Sequence, residues 1–216
     1  MNIRSISASL MAGLFLLTGC ATSKFANKVD NIHKSVAVLP TDIRRVAVLP
    51  LAGQPGNAQL SDACETLSSV VFEEFAKTKK FEAVQISPET LRSLSGEPCW
   101  TGDEKLPVNL LGSLRDGPGC DAVLFSELTV FRPYAPIAIG WRFKLVDTKT
   151  RQILWAADEI FDAAQPATTE EARHWLHDAV AGFYQSPKED WTNLHSPSLV
   201  GRDSVALVLA TLPARQ

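Results

Sequence analysis

Cysteine and histidine are the side chains that do most covalent and metal chemistry, and this 216-residue chain holds four of each. Cys64 falls on a helical stripe with Leu60, Leu67, Val71 and Phe75. A thiol there reads as a small core residue, because a nucleophilic cysteine needs exposure and an acidified thiol. Cys99 and Cys120 lie on loops that bracket the apolar positions Leu106, Leu110 and Leu114. Joining them closes a loop of about 22 residues, worth roughly 3 kcal/mol if the stabilisation is chain entropy. That pair is the expected disulfide, with Cys64 left open as a partner for either. His174 and His177 stand at i, i+3 beside Glu170, Glu171 and Asp178. A zinc centre needs three or four converging ligands; no second cluster completes this set, so the expectation is a solvated helix face and no metal. His33 and His195 stand apart from any such cluster. The chain contains no Gly-x-Ser-x-Gly elbow, His-Glu-x-x-His, phosphate loop or dinucleotide fingerprint. No catalytic residues and no cofactor are therefore expected. Glu127 is placed to meet Arg142 or Lys144 across a sheet as an ordinary ion pair.

The fourth cysteine, Cys20, ends the segment MNIRSISASLMAGLFLLTGC, in which Arg4 precedes an apolar run from Leu10 to Leu17 and small residues precede the cysteine. This is the pattern of a secretory signal, and the run is shorter than the roughly 20 residues that span a bilayer. Leu17-Thr18-Gly19-Cys20 resembles the bacterial lipobox. The resemblance implies cleavage after Gly19, diacylglycerol on the Cys20 sulfur and an acyl group on the new terminus. At about 0.8 kcal/mol per buried methylene, three chains attach a protein durably, and the lipid bilayer becomes a partner through them. Ala21 stands where Asp would favour retention at the inner membrane, so the similar enterobacterial sorting pattern implies a periplasm-facing place on the outer membrane. The other cysteines then sit in a compartment where disulfides persist. Lys+Arg 21 against Asp+Glu 24, with no basic cluster, excludes the electrostatic footprint of a nucleic-acid binder.

These residues need elements to position them. Residues 1–19 are expected as the signal, 20–44 as the lipidated start and tether, and 45–213 as one α/β domain. Within the tether, Val36-Ala-Val-Leu-Pro40 recurs as Val46-Ala-Val-Leu-Pro50, and the first copy reads as an edge strand beside the second. The run 45–52 suits a buried central strand. The Leu60–Phe75 stripe makes a helix with Glu65, Glu73, Glu74 and Lys77 on its other faces. A strand follows over 81–87, then a helix started by Ser87-Pro88-Glu89 and stopped by Gly96. A short helix over 106–114 leads to strands at 121–131, 137–146 and 152–161, the last two joined by a polar turn at 147–151. Alternation of Ile137, Ile139, Trp141, Phe143 and Leu145 marks one buried face, with Arg142 and Lys144 on the other. Thr168-Thr-Glu-Glu171 is a capping box ahead of a helix, and 204–212, apolar on nearly all faces, reads as a buried terminal helix in preference to a last strand. The connection Phe131-Arg-Pro-Tyr-Ala-Pro136 groups two aromatics, a cation and two stiffening prolines. Phe131, Arg132 and Tyr134 are the candidate interaction residues, and Trp100 and Trp191 also fall in loops.

The stretch from Leu114 to Leu128, the run from Phe143 to Trp155 and the opening Arg45-Val-Ala-Val-Leu-Pro-Leu51 together resemble a pattern in bacterial envelope proteins. These include the TolB N-terminal domain and the CsgG and FlgO-type lipoproteins. The sequence departs from that pattern at Ser126 and Arg151, where glycine is usual. The resemblance implies a TolB N-terminal-like α/β sandwich: a single domain with a mixed β-sheet flanked by helices. It implies a role in envelope assembly and no catalytic residues. The leading expectation is a non-catalytic binding or assembly factor for an unidentified envelope protein. The rivals are a subunit of an oligomeric CsgG-like export pore and a thiol- or metal-dependent envelope enzyme. A pore needs membrane strands of about 9–11 residues beyond the domain's own sheet.

Overall fold

Val46, Ala47 and Val48 are all under 4% exposed, as expected of a strand covered on both faces. They belong to Arg45–Val48 (β3), an interior strand one place from the edge of the sheet rather than at its centre. The computed structural model describes residues 29–53, 57–134, 137–162 and 197–215. In chain order, β1 (Ile32–Lys34), β2 (Val38–Leu39), β3 and β4 (Ala52–Gly53) precede α1 (Ala58–Lys77). After these come β5 (Glu82–Gln85), α2 (Pro88–Ser95), α3 (Leu110–Asp116), β6 (Ala122–Arg132), β7 (Ala138–Asp147), β8 (Ile153–Asp162), α4 (Pro197–Ala210) and β9 (Ala214–Arg215). The main sheet runs β1-β8-β7-β6-β3-β5, with β4 also paired to β6. β3 is parallel to β5 and β6, whereas β6, β7, β8 and β1 are antiparallel neighbours. The sheet is therefore mixed, and the strands at 121–131 and 137–146 expected for it lie in its interior as β6 and β7.

Two cores follow from strand alternation. Val46 and Val48 join Leu124, Trp141, Phe143 and Trp155 under α1 and α4, while Ala47 joins Val123 and Phe125 under α2 and α3. Asn57 caps α1 by accepting the Leu60 N–H at 3.3 Å. The Leu60, Cys64, Leu67, Val71 and Phe75 stripe is buried as its spacing predicts. Glu74 departs from the expectation of a solvated face. It is 7% exposed, paired with Lys77 at 2.6 Å and with Arg202 of α4 at 3.3 Å. Two buried indoles stitch α4 and the turn just after it to the sheet: Trp141 Nε1 donates to Ser204 Oγ at 2.8 Å and Trp155 Nε1 to Thr211 Oγ1 at 3.1 Å. Gly201 lets α4 approach α1, since a Cβ there would lie 2.7 Å from Leu67 Cδ2. The helices and the long strands share these two cores, and the fold is a single α/β domain.

The domain begins before residue 45, which corrects the tether boundary. Val29, Leu39 and Ile43 are buried in the main core. The edge position next to the long antiparallel strands belongs to β1, paired with β8. Val38 and Leu39, inside the 36–40 segment expected beside β3, instead pair in parallel with Ala214 and Arg215, which also carries the domain past residue 213. The expected helix over 106–114 starts later, at Leu110, because Pro107 disfavours helical backbone at Leu106; the Leu110 N–H donates back to Pro107 O at 3.1 Å. At the β7–β8 turn, Arg151 itself takes the left-handed φ of 62° where the resembled pattern has glycine. Asp147 Oδ1 supports the turn by accepting the Lys149 and Thr150 N–H groups.

Candidate functional site

The helices α2 and α3 pack beside β3, β5 and β6, and the same sheet face carries a charge array across β6, β7 and β8. Register places Arg142 between Glu127 on β6 and Asp158 on β8. Arg142 Nε and Nη2 each lie 2.8 Å from Asp158 Oδ2, and Nη1 lies 3.2 Å from Glu127 Oε2. The expected Glu127–Arg142 pair is thus present, within a larger network. Asp103 descends on it from the loop after α2: its Oδ2 is 3.4 Å from Arg142 Nη1 and its Oδ1 meets Lys144 Nζ. Lys144 Nζ also donates to Gly102 O at 3.3 Å.

Local chemistry fixes that loop as a strap. Trp100 Nε1 donates to Ser95 Oγ at 2.7 Å at the end of α2, and Glu104 accepts the Thr101 N–H at 2.6 Å. Gly102 permits the close crossing, because a Cβ there would come 2.6 Å from Lys144 Cδ. Beside the strap lies an open cleft of about 310 Å³, lined by Asn31, His33, Asp103, Arg142, Lys144 and Asp158. The Lys144 hydrogen bond holds the Asp103 carboxyl below its ordinary range. The Asp158 hydrogen bond pushes the Arg142 guanidinium further up. The cleft therefore presents fixed charges, suited to hydrogen-bonding a polar partner through the third of Arg142 left accessible. Among the described residues, no three His, Cys, Asp or Glu side chains converge as a metal site.

The sequence-derived candidates fare differently. Cys20, His174, His177, His195, Trp191 and the 168–183 helix lie outside the described residues. Cys64, Cys99 and Cys120 are free thiols, so the expected Cys99–Cys120 bridge is not formed. The two thiols sit in different surroundings: Cys120 is buried in the second core beside Arg45, Asp121 and Glu82, whereas half-buried Cys99 lies beside Glu104 and Glu97. Burial pushes the Cys64 thiol up to about 12, with the charges of Cys99 and Glu127 adding to the shift. Phe131 and Arg132 end β6, where Phe131 packs against the main core and Arg132 pairs with Asp162 at 2.7 Å. Tyr134 is 74% exposed. Sequence reasoning missed Asp103 and Asp158. Alternation could have placed Asp158 opposite Arg142, but an acid in an aperiodic loop carries no signal of what it will cross.

No family model matches the chain, and no curated protein matches it significantly. Among solved structures it is similar to the PelC dodecamer from Paraburkholderia phytofirmans, at 16% identity and a TM-score of 0.49, over 86% of this chain and 97% of that one. It is similar to lipoprotein GNA1162 from Neisseria meningitidis at 13% identity and a TM-score of 0.38, over 67% of this chain and 99% of that one. It is also similar to the LpoB C-terminal domain from Escherichia coli at 17% identity and a TM-score of 0.35, over 59% of this chain and 86% of that one. These are likenesses of fold.

Proposed function

We propose that this chain is a lipoprotein acylated on Cys20 and held on the periplasmic side of the outer membrane. Its α/β body serves there as a non-catalytic binding or assembly factor for another envelope component. The observation that carries the reading is Leu17-Thr18-Gly19-Cys20 at the end of the apolar run. Two features of the body support it. The Arg142 cleft holds its charges in mutual pairs and offers polar recognition. A Cys64 thiol raised to about 12 stays protonated at neutral pH, which disfavours the thiol-enzyme alternative. Among the described residues, no helix is long and apolar enough to cross a membrane. Detergent phase partitioning tests the anchor: wild type enters the detergent phase and Cys20→Ala enters the aqueous phase, and identical partitioning of the two overturns it. Photo-cross-linking in cells from position 33, beside the cleft, tests the binding role. A discrete protein adduct that Arg142→Ala diminishes supports it, and an adduct profile unchanged by Arg142→Ala overturns it.

A further inference from the structure

Val29 is 6% exposed and part of the main core. Beyond it, the Asp30 and Asn31 N–H groups donate to Glu159 Oε2 at 3.2 and 3.5 Å, and the Asp158 N–H donates to Asn31 O at 3.0 Å. The chain thus enters the sheet beside Glu159. Register continues from Glu159 through Gly140–Ile160 and Ile139–Phe161 to Ala138–Asp162, with Phe131 and Arg132 opposite Ile139 and Ala138. The entry point, the tip of the β6–β7 hairpin and the end of β8 therefore share one end of the sheet. Tyr134 and Ile160, 74% and 52% exposed, are at this end. Arg132 is charge-matched there by Asp162. An amphipathic aromatic and an aliphatic side chain exposed at the same end of the sheet suit the boundary between headgroups and acyl chains.

Eight residues, 21–28, separate Cys20 from Val29. Nine Cα steps reach at most about 30 Å when fully extended and about 15–18 Å as a flexible coil. The 11 residues of β6 alone extend about 36 Å. The tether is short against the length of the sheet, so the end where Val29 enters is the end held nearest the lipid. We infer that Tyr134 and Ile160, at the β6–β7 tip and the end of β8, form a contact surface for the phospholipid interface. The Asp147–Arg151 turn at the opposite end of the sheet faces away. The inference rests on the acylation of Cys20 proposed above.

The test uses the full chain, produced with its lipid and reconstituted into vesicles of phosphatidylethanolamine and phosphatidylglycerol. A benzophenone amino acid replaces Tyr134, Ile160 or, as control, Lys149. Irradiation is followed by mass analysis of phospholipid adducts and, in the same sample, of the N-terminal peptide. The expected result is lipid adduct at 134 and 160, several-fold above that at 149. An acylated Cys20 with equal adduct at all three positions overturns the orientation and leaves the anchor standing. An unmodified Cys20 overturns both.

Discussion

Replacing Arg142 with alanine tests whether the charge array holds the sheet face together. Charge-assisted hydrogen bonds contribute about 1.5–3 kcal/mol when well buried, and exposed ion pairs about 0.2–1 kcal/mol. Arg142 and Asp158 are about one-third exposed with two N–H groups on one oxygen, an intermediate case of about 1.5 kcal/mol after discounting for solvent screening. Glu127 is 15% exposed at 3.2 Å and adds about 1 kcal/mol. Asp103 is 56% exposed at 3.4 Å and adds only a few tenths. Removing the guanidinium also leaves these carboxylates facing one another, so Arg142→Ala should cost about 2–3 kcal/mol at pH 7. At about 2–4 °C per kcal/mol for a domain of this size, Tm falls by about 5–10 °C. Thermal unfolding of the two proteins by circular dichroism reads this directly, and a double-mutant cycle with Asp158→Ala isolates the strongest contact. A Tm change under about 1 °C, or a coupling energy near zero, would refute the reasoning.

Three further outcomes follow from particular groups. Asp103 is held below its ordinary range by Lys144, so its folded value lies under its unfolded one. Its contribution is complete above about pH 4 and lost as pH falls through the folded value. Asp103→Asn should therefore be less stable than wild type in urea at pH 7, with the gap narrowing as pH falls below about 4, and a gap that does not narrow with acidification would contradict the assignment. Ser126 is fully buried and its Oγ has no hydrogen-bond partner among the described residues; Ser126→Ala should raise stability by about 1 kcal/mol, and a loss in the same titration would show that the hydroxyl is satisfied. Cys64, with its thiol raised to about 12, should resist iodoacetamide at pH 8 in the native protein and react once guanidinium unfolds it, as peptide mapping would detect.

The central fold was legible because its elements are long and periodic. The alternating face from Ile139 to Leu145 and the α1 stripe both stem from one-sided burial, which a period of two or of 3.6 exposes in sequence. β6, β7 and β8 each lie one residue from their expected bounds. Residues 29–44 were not legible as part of the domain. β1 has three residues and β2 has two, too few to show a period, and their partners Ala157 and Ala214 lie more than 100 residues away. Glu74 looked solvated because nothing near it in sequence announces Arg202. The cleft was half legible for the same reason: Arg142 and Lys144 stand out on an alternating strand, but Asp103 arrives through tertiary packing of an aperiodic loop. Arg151 shows the limit of reading by resemblance, since it takes the left-handed turn geometry without glycine.

Mass spectrometry of the mature N-terminal peptide, taken from protein extracted from native membranes, bears most directly on whether a lipid-held domain is the right description. The expected species begins at Cys20 with diacylglycerol on sulfur and an acyl group on nitrogen. A chain that still carries residues 1–19, or one whose Cys20 is free and unmodified, would contradict it.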